Sequence, residues 1–173
     1  MRYFYTILFT LFIFCSGCTG NIIANDQHSH HHNGHSHHHT PHAGIVEPFL
    51  NAQKNHGYIE LKLHDDKGDL ELWITEDGDH HPIDLPTSSI INVTFPELDN
   101  KTVELRVRDK QKNTDENGKG NIRNKKTNYF IFPGDTGVSA EFLVGKDFSS
   151  DVIVSFSDDE KNYTTKPFTL EPH

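Results

Sequence analysis

The chain has 173 residues, with 25 acidic against 16 basic side chains and a formal net charge of −9. That balance argues against a nucleic-acid partner, because phosphate recognition needs clustered Lys and Arg. The length corresponds to about one domain of roughly 100–200 residues, and the chain has two cysteines, Cys15 and Cys18.

Met1-Arg2 gives a short positive start, followed by an apolar run from Tyr3 to Phe14. About a dozen apolar residues are too few to span a bilayer and fit a signal peptide. The small residues Ser16-Gly17 directly before Cys18 resemble the lipobox of bacterial lipoproteins, although Cys15 stands where that motif usually has an aliphatic residue. The resemblance implies a signal peptide over residues 1–17 and a lipid-modified N-terminus at Cys18. Thr19, where a retention signal would place Asp, then points to the outer membrane. On that expectation the mature protein is held at the cell envelope by lipid and keeps no thiol. Since the only methionine is Met1, its metal ligands must be imidazole, carboxylate or backbone groups.

Residues 18–44 read as a disordered tether, with no helical or strand period. Within it, His28, His30, His31, His32, His35, His37, His38, His39 and His42 make nine of the chain's fourteen histidines, and no apolar residue interrupts them. Imidazole is the commonest protein metal ligand, so this string is a multidentate chelator by composition. Without soft ligands the expected cargo is an exchangeable divalent ion: Zn²⁺, Ni²⁺ or Cu²⁺.

Residues 45–173 read as the folded domain. From Tyr58 the pattern has period two: Ile59, Leu61 and Leu63 alternate with Glu60, Lys62 and His64. Asp65-Asp66-Lys67-Gly68 is a turn, and Leu70, Leu72 and Ile74 alternate with Glu71 and Trp73, which predicts a hairpin. Further strands are expected at Ile91–Phe95, Val103–Val107, Tyr129–Phe132, Val152–Phe156 and Tyr163–Leu170. The run Val138–Val144 is too brief to assign to strand or helix. Seven or eight short strands without an amphipathic helix predict an all-β fold, an antiparallel β-sandwich of immunoglobulin-like type. The polar stretch from Asp109 to Asn128 reads as a long mobile loop.

Weaker metal candidates lie in this domain. Asp77, Asp79, His80 and His81 crowd one turn, where only an irregular backbone lets the adjacent histidines share an ion. His56 is a further candidate that could meet His42 if the tether docks back, whereas His64 reads as an ordinary surface histidine. Asn113-Thr114-Asp115-Glu116-Asn117-Gly118 resembles the start of an EF-hand loop, but Asn124 occupies the bidentate Glu position. No nucleophile elbow, His-Glu-x-x-His motif or phosphate-binding glycine loop is present, so the chain does not read as an enzyme.

One resemblance spans Pro41–Ile83, carried by Pro41-His42-Ala43-Gly44-Ile45-Val46, Tyr58-Ile59-Glu60-Leu61, Asp65-Asp66-Lys67-Gly68, Leu70–Ile74 and Pro82-Ile83. This stretch is similar to small His-rich lipoproteins abundant in planctomycetes and to the N-terminal module of some heavy-metal efflux adaptor proteins. Their pattern has Gly at Ala43 and His at Tyr58. The resemblance implies an envelope protein linked to metal handling, with a metal-efflux or other envelope protein as partner, and names no reaction. The alternative expectation is a β-sandwich interaction or adhesion module with the tract as a spacer.

Overall fold

The computed structural model describes residues 40–173 apart from Asp79 and Asp135. The signal peptide expected over residues 1–17, the lipidation expected at Cys18 and the histidines from His28 to His39 lie outside the described residues. The strands are β1 (Ile45–Asn51), β2 (Lys54–Leu63), β3 (Leu70–Thr75), β4 (Leu85–Pro86), β5 (Ile91–Phe95), β6 (Lys101–Leu105), β7 (Lys126–Thr127), β8 (Tyr129–Phe132), β9 (Ser150–Asp158), β10 (Lys161–Thr165) and β11 (Phe168–Leu170). The fold is antiparallel all-β.

The main sheet runs β6-β5-β9-β10-β1-β2-β3-β8, with β11 also on β9, and β4 pairs with β7 separately. Just past β6, Arg106 and Ile131 of β8 exchange backbone hydrogen bonds of 2.9 and 2.8 Å, which brings the two ends of the sheet together. The result is a nearly closed, barrel-like sheet of the sandwich class. Its interior holds the alternating apolar residues, among them Ile59, Leu61, Leu72, Val93, Phe130 and Val154, because residues two apart on a strand share a face.

Hairpin turns set the register. β1 and β2 are joined by Ala52 and Gln53, and β9 and β10 by Asp159 and Glu160, all with positive φ. Two left-handed residues match the twist of the paired strands, as in a type I′ turn. Between β2 and β3 the turn closes on Gly68, at φ 71°, where a Cβ would stand 2.4 Å from the Ala140 carbonyl oxygen. Only glycine fits that approach.

Two expected elements come out differently, and one strand was not expected. The strand expected at Tyr163–Leu170 divides into β10 and β11 around Pro167, which has no N–H to give the ladder. Val138–Val144 resolves as a short 3₁₀ turn, Glu141–Leu143, with Leu143 buried. β1 had no alternating signature, because its residues are half-covered on both sides except for the buried Phe49.

β3 and β8 are buried along their whole length, although half of their residues point away from the interior. Trp73, Tyr129 and Ile131 form a second apolar cluster on that outer side. Something must cover it, and the covering chain builds the site.

Candidate functional site

Strand register lines up the outer face of β2, β3 and β8. Glu60 stands opposite Trp73 and Trp73 opposite Tyr129; in the next row Lys62 faces Glu71 and Glu71 faces Ile131. Glu60 and Glu71 are only 3% and 4% exposed. Burying two carboxylates is costly unless hydrogen bonds hold them, and each has its own set of donors.

Around Glu60 the donors come from the segment before β1. The backbone N–H groups of His42 and Gly44 donate to Glu60 Oε1 at 3.0 and 2.9 Å, and His42 Nδ1 lies 2.8 Å from Oε2. Burial pushes the Glu60 carboxyl up, but the His42 side-chain and Gly44 hydrogen bonds, with the charge of His42, outweigh it and hold the group below its usual range. The His42 ring also stacks on Trp73, centroids 3.8 Å apart and planes within 2°. Two backbone features allow this approach. Ala43 adopts φ 60°, and a Cβ on Gly44 would sit 2.8 Å from the Leu61 carbonyl oxygen. Beneath the stack, Trp73 Nε1 is the one buried side-chain polar atom without a hydrogen-bond partner among the described residues.

Around Glu71 the donors come from the sheet. The Tyr129 hydroxyl donates to Glu71 Oε1, while His64 Nε2 lies 3.0 Å from Glu71 Oε2. Burial, then the bond to Glu71 and its negative charge, push the Tyr129 hydroxyl far up, with Arg108 opposing. Glu116 reaches in from the loop: its Oε1 accepts a 2.6 Å bond from Lys62 Nζ, and its Oε2 lies 3.6 Å from His64 Nε2. His64, Glu71 and Glu116 open onto a cleft of about 350 Å³, whose wall also includes Arg108, Ile131 and Phe132.

The loop that delivers Glu116 is tied down by polar side chains. The Asp109 carboxylate accepts the backbone N–H groups of Gln111, Lys112 and Asn113, and the Lys112 and Gln111 bonds hold it below its usual range. Asn113 is fully buried; it accepts from Arg108 N–H at 2.9 Å and donates to Thr127 Oγ1 at 3.0 Å and to the Tyr129 carbonyl at 2.7 Å. Asp115 accepts the N–H groups of Asn117 and Lys119 and the side chain of Asn121. The residues that resembled a calcium loop are thus engaged in folding the loop onto the sheet.

Of the sequence candidates, His42 belongs to the folded unit, its Nδ1 taken by Glu60. His56 packs its ring edge against Tyr163 and lies four strand residues, about 13 Å, from Glu60, so it is not brought to His42. Asp77 meets His81, with Oδ2 2.5 Å from Nδ1, and accepts the N–H of His80 at 3.1 Å; the turn is irregular and exposed there, and Asp79 lies outside the described residues. The grouping that places three ligand atoms within 4.8 Å of one another, among the described residues, is His64, Glu71 and Glu116. Sequence reasoning passed over these three. Parity on β2 and the β2–β3 register could have put His64 near Glu71, but no local pattern marks Glu116.

No family model matches the chain, nor does any curated protein or solved structure.

Proposed function

We propose that the chain is a lipid-anchored envelope protein that binds a divalent transition metal, Zn²⁺, Ni²⁺ or Cu²⁺, through its histidine tract, as a buffer or transfer component. The observation that carries this reading is density: eight imidazoles fall within residues 28–39, with no apolar residue among them. Such a segment lacks the apolar surface needed to fold alone, and neighbouring imidazoles can wrap one ion. Ordering the segment around the ion opposes binding, which favours exchangeable over permanent occupancy.

A Zn²⁺ titration by calorimetry tests it, comparing the chain with a variant in which His28, His30, His31, His32, His35, His37, His38 and His39 are all serine. Most of the bound Zn²⁺ is expected to disappear in the variant, and what the tract binds should weaken below about pH 6, where imidazoles of pKa about 6.5 hold their protons. Equal stoichiometry in both proteins would remove the tract from the mechanism.

A further inference from the structure

We infer that His64, Glu71 and Glu116 form a second divalent-metal site, of the Zn²⁺ class, inside the folded unit and independent of the tract. It rests on the metal-handling reading only for the kind of ion; the geometry stands by itself. A tetrahedral Zn²⁺ with ligands at about 2.0–2.1 Å keeps its ligand atoms about 3.3 Å apart. His64 Nε2 is 3.0 Å from Glu71 Oε2 and 3.6 Å from Glu116 Oε2, so the observed spacings bracket that edge length.

The orientation of the carboxylates is the second argument. Each has one oxygen held by an outer donor and the other turned toward His64. Tyr129 holds Glu71 Oε1 and Lys62 holds Glu116 Oε1, leaving the two Oε2 atoms to converge on Nε2. Outer donors that fix a ligand's free oxygen are how metal sites orient their first ligands. Two carboxylates also balance the charge of a dication. Binding replaces the hydrogen bond between His64 Nε2 and Glu71 Oε2 with two metal bonds, the ion taking the Nε2 lone pair while the ring N–H is carried on Nδ1.

One nitrogen and two oxygens make three protein ligands, with the cleft beside them to supply a fourth position. Three protein ligands and an open position distinguish it from a closed, four-ligand structural site. The chemistry therefore fits an acceptor that takes an ion from a donor ligand and gives it up again. The three ligands come from the residue just after β2, from β3 and from the loop, so an ion there also clasps the loop onto the sheet.

The test uses the full chain with the eight tract histidines replaced by serine, and Zn²⁺ alone as the probe, measured by competition with a chromophoric chelator. One Zn²⁺ per chain is expected to remain. On that background His64→Ala and Glu116→Gln should each weaken binding by about tenfold or more, and Co²⁺ bound in place of Zn²⁺ should lose the visible absorption of a four-coordinate ion. Glu116 lies in an exposed part of the loop, so Glu116→Gln keeps the fold, which the unchanged fluorescence of Trp73 verifies. No bound Zn²⁺ in the tract-free chain would overturn this site and leave the tract untouched. Undiminished binding in both point variants would overturn it as well. Tract-free and unaltered chains binding alike would overturn the tract and leave this site standing.

Discussion

Replacing His42 with alanine tests whether the segment before β1 is bonded into the fold. The substitution removes one hydrogen bond to a buried carboxylate, which contributes about 1.5–3 kcal/mol for a charged partner. It also removes a ring stack on Trp73, a further ~0.5–1.5 kcal/mol. Glu60 keeps the N–H groups of residues 42 and 44, so the carboxylate is not orphaned, and the His42 side chain is 19% exposed. Both facts favour the lower half of the sum, giving an expected loss of about 2–3 kcal/mol. Urea unfolding at pH 7 measures it, and the molecule supplies its own probe: Trp73 is the only tryptophan and lies directly under the imidazole. Its native emission should shift to longer wavelength in His42→Ala as water reaches the ring. A double-mutant cycle with Glu60→Gln should show coupling of about 1 kcal/mol or more. A loss under about 0.5 kcal/mol with unchanged emission, or strict additivity in the cycle, would refute the docking of this segment.

Stability should respond to pH at both extremes. Glu60 is held below its ordinary value of 4.5, so its contribution is complete above that value and disappears as pH falls through the lowered one. Acid titration of unfolding free energy should therefore be steeper in the unaltered protein than in Glu60→Gln, and parallel curves would be inconsistent with the assignment. Tyr129 is shifted up from 10.0, so stability should start to fall as pH rises past about 10, a limb that alkaline unfolding of Tyr129→Phe should lack. Asn113→Ala takes its donor from the buried Tyr129 carbonyl and its acceptor from the part-buried Arg108 N–H, and should cost about 1–3 kcal/mol by denaturant unfolding. Hydrogen exchange should then speed up across residues 109–121 before it does in β5 or β9.

The interior was legible because it obeys a period. Ile59, Leu61 and Leu63 against Leu70, Leu72 and Ile74 announce a hairpin, and the same alternation marks β5, β6 and β9, since one face of a strand meets apolar chain and the other does not. Where no period existed, the sequence was silent or misleading. Ala52-Gln53 turns as tightly as an Asn-Gly pair, which only the pairing of β1 with β2 imposes.

The outer face shows the limit more sharply. Alternation says that Glu60, Lys62 and His64 share a side, and solvent is the ordinary assumption for that side. Their burial depends on two covering segments, residues 40–44 and the loop from Asp109, which are polar and carry no hydrophobic signal. Histidine density made the tract visible without any structure, because the chelator proposed there rests on composition alone. The convergence of His64, Glu71 and Glu116 joins positions up to 52 residues apart in the chain, through hydrogen bonds that no local pattern encodes, and it exists only once the loop is folded onto the sheet.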